Sequence, residues 1–273
     1  MWNEKSKKPI WSFLALTFLI AGVCEGVLIL IEQTGVLSGM QSGITGFIII
    51  TMYRGITVAS APAWAMLILL KKHNQIKGFK DFFLRIFKTE KKTRTVIATV
   101  AFFSGYFIVC MLSCQYLGDT WYFALFALPW LAAGIIGGGL EELGWRGFLQ
   151  PALEEKLPYV VAALCVGVIW SVWHVPGWFV QGIGMSSLNF FSFTIHCIAL
   201  SFVMASLYKL TKSVFACVLF HSWSNALGNI FSMDFLADPP NLKLILICAP
   251  QIIAAIIIYV IVVVSKKKKG LKT

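Results

Sequence analysis

Gly137-Gly138-Gly139-Leu140-Glu141-Glu142-Leu143-Gly144-Trp145-Arg146 puts two carboxylates and a guanidinium inside a long apolar run. A charge near a bilayer centre costs roughly 2.5–3.5 kcal/mol on insertion scales, so three of them this close together need a reason. On a helix Glu142 and Arg146 share a face, with the acid N-terminal to the base, the better orientation for such a pair. Glu141 then points about 100° away, without a local partner. The simplest reading is a division of labour: Glu142 with Arg146 holds structure, and Glu141 is left for chemistry. The competing reading places all three at the cytosolic end of a helix, in headgroups and water.

The chain around this stretch has 273 residues, 58% hydrophobic and 13% charged, with a mean hydropathy of +0.80. That composition predicts an all-α, polytopic membrane protein, with one membrane-embedded domain over residues 1–273 and a motif-bearing core at about 121–230. Apolar runs long enough to cross about 30 Å of hydrocarbon predict eight spans, at residues 10–31, 43–70, 95–117, 121–149, 158–179, 188–208, 213–230 and 242–264. The fourth is long, and Gly144 and Gly147 loosen its end. The second carries Arg54 and Pro62, which predict a kink or an interfacial turn. The seven Cys are scattered through apolar segments with no CxxC, so they read as buried thiols, neither a disulfide framework nor a zinc knuckle.

Lysine and arginine set the orientation. Five groups hold 21 of the 23: the N-terminal tail, the loop at 71–94, Arg146 with Lys156, Lys209 with Lys212, and the C-terminal tail. With these spans all five fall on one side, and only Arg54 and Lys243 lie elsewhere. Both termini are therefore expected in the cytosol, in a multi-pass protein of the cell membrane. The net charge of +11 is topological and attracts anionic lipid; it is no sign of nucleic acid. Residues 77–92 read as an amphipathic helix on the inner leaflet.

Three histidines, His174, His196 and His221, fall in apolar spans, where ionisable groups are functional candidates. Trp170 and His174 share a face one turn apart, and Pro176-Gly177 is placed to open the helix just beyond. His221 has Asn225 one turn on, with Ser222 and Ser224 beside it, like one wall of a polar cavity. His196 has no such partner and reads mainly as a core imidazole. A carboxylate, two imidazoles and a carboxamide on three apolar helices suit acyl hydrolysis. A buried Glu can act as general base on water, a His can pass that proton to a leaving amine, and His and Asn can donate to an oxyanion. Metal hydrolysis stays open, with zinc held by Glu141, His174 and His221. The local signature that would favour it, HExxH, is absent from the sequence.

Glu141-Glu142-Leu143-Gly144-Trp145-Arg146 fits an EExxxR motif, Trp170 to His174 an FxxxH motif with Trp in place of Phe, and His221 to Asn225 an HxxxN motif. In this order they resemble the CAAX protease and bacteriocin-processing (CPBP) family of intramembrane proteases, which includes the type II CAAX prenyl endopeptidase. The likeness covers about residues 138–225. It implies that Glu141 and His174 activate water and that His221 and Asn225 form the oxyanion site. It also implies that no metal is needed, although the family long carried the label of metalloprotease. Glu142, Arg146 and Trp170 are then supporting residues. The expected partner is a peptide or protein at the membrane, either prenylated or a leader peptide to be processed. The rival class is a non-catalytic membrane protein, a transporter or a bacteriocin self-immunity factor. Repeated broken helices in two halves would favour a transporter, and no internal repeat is visible. Oligomeric state is not legible. Gly134 and Gly138 form a small-xxx-small face that predicts close approach of a neighbouring helix.

Overall fold

A computed structural model describes residues 8–36, 44–90, 92–116, 127–180, 185–231 and 233–268. These residues are built from helices: α1 (Ile10–Glu32), α2 (Ile44–Arg54), α3 (Ala61–Lys72), α4 (Phe79–Ile86), α5 (Lys92–Tyr116), α6 (Ala127–Gly134), α7 (Glu141–Gly144), α8 (Gln150–Glu154), α9 (Tyr159–Trp173), α10 (Phe190–Thr211), α11 (Val214–Ile230) and α12 (Leu242–Lys268). Five are long and apolar enough to cross a membrane, or six if the bent pair α2–α3 counts as one span. The expected eight are thus reached only in part on length and apolarity. The two stretches that fall short are the fourth, which is broken and only partly among the described residues, and the seventh, a helix of 17 residues that carries His221 and Asn225.

The fourth stretch is not one helix. Its residues 121–126 lie outside the described residues, and the rest breaks at Gly137 and Gly138, whose backbone is non-helical (φ −80°, ψ 19° and φ 154°, ψ −36°). The break therefore comes before the acidic pair, where the sequence reading, which had only the end loosened at Gly144 and Gly147, marked none. A φ of 154° is tolerable here because glycine has no Cβ. A π-helical turn, Trp145–Leu149, follows α7.

The second span bends by 42°, as Pro62 suggested. Its backbone passes through a π-helical turn, Gly55–Ala59. There the Ser60 hydroxyl donates to the Gly55 carbonyl at 2.7 Å and the Trp64 indole to the Ile56 carbonyl at 2.7 Å. Side chains thus satisfy carbonyls that the broken ladder frees. The two irregular stretches interlock. A Cβ on Gly55 would lie 2.6 Å from Ile136 Cγ2, and one on Gly144 would lie 2.4 Å from Pro62 Cβ.

Helix α10 is the central post, buried along most of its length between α9, α12 and α11. Asn189 caps its N-terminus, accepting from the amides of Phe191 and Ser192, and Lys212 ends it in the left-handed conformation. Ser213 caps α11 at once, so the two helices form a tight antiparallel pair. Small hydroxyls sew α10 to its neighbours: Ser201 Oγ donates to the Ala163 carbonyl at 2.8 Å and Ser206 Oγ to the Ala255 carbonyl at 3.0 Å. The predicted small-residue face is used, since a Cβ on Gly134 would lie 2.9 Å from the Ser222 carbonyl of α11.

The described members of the basic groups gather at one end of this bundle, except Arg146, which is buried inside it. Lys8 pairs with Glu155, Lys209 with Glu154 at 2.9 Å, and Thr89 donates to the Thr211 carbonyl at 3.2 Å. Val262 and Val263 of α12 line one groove with Glu154 and Lys209. The expected surface helix is shorter than residues 77–92. In α4, Phe82 and Ile86 face the bundle while Phe79, Phe83 and Leu84 are exposed. Arg85 clasps Asp81 at 2.9 Å and holds its carboxyl below the usual carboxylate range. Arg54, one of the two topological exceptions, is paired within the bundle: its Nη2 donates to Glu25 Oε1 at 2.6 Å. Cys110, Cys197, Cys217 and Cys248 are buried, as expected, whereas Cys24 and Cys165 are half-buried.

Candidate active site

The break at Gly138 decides where the site forms. Because the chain turns there, α7 starts immediately afterwards with Glu141 and Glu142, both buried. Helix α11 passes so closely that a Cβ on Gly138 would lie 2.5 Å from Asn225 Nδ2, 3.0 Å from His221 Nε2 and 3.6 Å from Glu141 Oε1. The missing methyl thus lets a carboxylate oxygen, an imidazole nitrogen and a carboxamide nitrogen crowd together around one narrow gap beside Gly138.

Each of these groups is held from behind. His221 Nδ1 donates to Glu142 Oε1 at 3.0 Å, which leaves Nε2 toward the gap. Arg146 Nη1 donates to both Glu142 oxygens, at 2.9 and 3.1 Å, and its Nη2 reaches the hydroxyl and carbonyl of Ser201 at 2.8 and 3.1 Å. The pair predicted from i, i+4 spacing is therefore present, fully buried, and anchored to α10. Asn225 Nδ2 also donates to the Gly137 carbonyl at 3.4 Å, one of those that the break releases from the helix.

Glu141 is not without a local partner, contrary to the sequence reading. Trp145, four residues on, donates its indole N–H to Oε2 at 3.3 Å, and Trp170 of α9 donates to the same oxygen at 2.6 Å. Both donors are neutral, so Glu141 has no cation of its own. His174 follows the last residue of α9, where Pro176 and Gly177 turn the chain into a short 3₁₀ segment, Val175–Phe179. Its Nδ1 donates to the Trp170 carbonyl at 2.9 Å, a carbonyl of the last helical turn that needs such a partner. The imidazole sits against Trp173 and Phe193, with ring centroids 4.6 and 5.1 Å apart.

The structure thus gathers Glu141, His221 and Asn225 at one gap and joins His174 to them through Trp170. His196 lies elsewhere, lining a small cavity with Tyr106, Cys110 and Phe235. Three features went unread in the sequence: Gly138 as a wall of the site, the Glu142–His221 bond, and the indole donors to Glu141. Only Trp145 carried a local signal, its spacing of one turn from Glu141. On both imidazoles Nδ1 is spent on a carboxylate or carbonyl and Nε2 is left, an arrangement that metal sites also use. Even so, among the described residues no three His, Cys, Asp or Glu side chains are placed to hold a metal ion.

Residues 120–227 match the model of a family described as "Type II CAAX prenyl endopeptidase Rce1-like". A protein of Methanococcus maripaludis named CAAX prenyl protease 2 is 27% identical over 158 residues, which cover 54% of this chain and 57% of that protein. The chain thus aligns with little more than half the length of this curated relative. The matched region contains Glu141, His174, His221 and Asn225.

Proposed function

With the Rce1-like type II CAAX prenyl endopeptidase family, to which the chain belongs through residues 120–227, as premise, we propose that this protein is an intramembrane endopeptidase that hydrolyses peptide bonds with water activated by Glu141. The observation that carries the reading is the gap at Gly138, bordered by Glu141 Oε1, His221 Nε2 and Asn225 Nδ2.

Water in this gap gives a proton to Glu141 Oε1 as its oxygen attacks the peptide carbonyl carbon. The carbonyl oxygen takes the negative charge, and the Asn225 amide and His221 Nε2–H donate to it. Donation from Nε2 while Nδ1 is bonded to Glu142 requires a doubly protonated ring, with Glu142 as its counter-ion and Arg146 holding Glu142 in place. His174 Nε2, left with its lone pair when Nδ1–H bonds the Trp170 carbonyl, relays the proton to the nitrogen of the breaking C–N bond. The products are a carboxylate and a free amine, and no metal takes part.

The relative's name supports one substrate class, a membrane-held peptide carrying a prenylated cysteine. Neither the family nor the relative speaks for bacteriocin immunity. The basic end of the bundle is assigned to the cytosol, together with both termini.

The test is cleavage by protein purified in detergent. One fluorogenic peptide carries a prenylated cysteine near its C-terminus, and a second is identical but unmodified. Cleavage of the first, abolished by Glu141→Gln at unchanged folded yield, is the expected result. Equal cleavage of both peptides would remove the prenyl group from the reading. A wild type that cleaves neither, or a Glu141→Gln variant with normal turnover, would overturn the mechanism and leave the non-catalytic class.

A further inference from the structure

Trp170 has no chemical step in this mechanism, yet it contacts three of the groups that do. Its indole N–H donates to Glu141 Oε2 at 2.6 Å. Its carbonyl accepts from His174 Nδ1 at 2.9 Å. Its ring stands edge-on to that of His221, with centroids 5.1 Å apart and planes at 73°. Trp145 donates to the same carboxylate oxygen at 3.3 Å. The two indoles thus converge on Oε2, while Oε1 is the oxygen that faces the Gly138 gap. The carboxylate torsion of a glutamate is broad and roughly two-fold, so without these donors nothing on Glu141 itself would distinguish one oxygen from the other.

We infer that Trp170 is a positioning residue: its N–H selects the oxygen of Glu141 that meets the reacting water, and its backbone holds His174 in register with that choice. The inference rests on the hydrolase reading above. Packing alone does not account for the contact. A buried phenylalanine would fill much the same space, and it would lack the N–H that reaches Glu141.

The test pairs kinetics with a spectroscopic readout. In protein labelled with ¹⁵N-tryptophan, the Trp170 indole resonance is assigned by its disappearance in Trp170→Phe. Glu141→Gln is expected to move that resonance. Trp170→Phe is expected to lower kcat about tenfold or more with KM within about twofold, as a misplaced reacting group does. Trp145→Phe, which removes the longer bond, costs less. Incorporation of 3-benzothienylalanine at position 170, a near-isostere of tryptophan without the N–H, should reproduce the loss of kcat, and it covers the case in which Trp170→Phe does not fold. A resonance unmoved by Glu141→Gln overturns the inference, as does a wild-type kcat in the benzothienyl protein. If the wild type cleaves no peptide, the hydrolase reading fails, and the positioning role fails with it. The resonance still reports the Trp170–Glu141 bond, so the two failures stay distinguishable.

Discussion

At the scale of single residues, Gly138 carries as much of the proposed site as the acid does. A methyl group there would collide with Asn225 Nδ2 and press on His221 Nε2, and the φ of 154° would strain an L side chain by about 1–3 kcal/mol. Gly138→Ala is therefore expected to lower kcat/KM by about a hundredfold or more, equivalent to about 2.7 kcal/mol of transition-state stabilisation. Steady-state kinetics on the prenylated peptide, with a melting curve alongside, checks this. Activity near wild type would mean that the reaction occurs elsewhere. In the sequence, Gly138 was legible only as one of two glycines on a small-residue face, because a positive φ leaves no trace in composition. The acids, the imidazoles and the carboxamide were legible, since ionisable groups in apolar runs stand out. Trp170 was read as a departure from the FxxxH pattern; in the structure that departure supplies an N–H that phenylalanine does not have.

At the scale of elements, the carboxylate of Glu142 joins α7 to α11 through His221, and Arg146 joins the same unit to α10 through Ser201. The i, i+4 pairing was readable from spacing. The bond to His221 was not, because it spans 79 residues of chain. This gives Glu142 two duties, and they separate under mutation. Arg146→Ala leaves a buried carboxylate without its main partner and should cost about 3–5 kcal/mol of stability. The double change Glu142→Gln/Arg146→Gln should recover part of that in melting temperature, because both charges go together. Turnover should stay low in the double variant, since His221 loses its anionic partner. Recovery of turnover along with stability would reduce Glu142 to a purely structural role. The breaks in the second and fourth stretches follow the same logic at their contact. Pro62 pointed to one, the other went unread, and their interlock depends on tertiary approach that no local pattern encodes.

At the scale of the molecule, the class and the gathering of basic groups at one end were legible because hydropathy and charge placement are summed over many residues. The span count was less so: the fourth stretch breaks just ahead of its acidic pair and the seventh is short and carries polar groups. The proposed mechanism also fixes the response to chelation. Cleavage should persist in excess chelator, and purified protein should carry no stoichiometric zinc. Activity that disappears with bound zinc and returns with it would move the reaction to metal-activated water.

The long-range anchors of Arg146 and Glu142 also bear on how the protein is made. Ser201 lies 55 residues after Arg146, and His221 lies 79 after Glu142, so when the fourth stretch leaves the ribosome neither anchor has been synthesised. With three charged groups and a broken helix, that stretch is a poor candidate for release into lipid by itself. It has to wait beside the insertion machinery, or against the already inserted second span with Pro62 and Gly55, until α10 and α11 arrive. Chains truncated after residue 180 are therefore expected to remain crosslinked to the insertion channel through residues 141–146 and to be degraded quickly. Chains extended past residue 230 should be released and become protease-resistant. Equal release of both lengths in a translation-stalling experiment would show that the stretch seats itself without them.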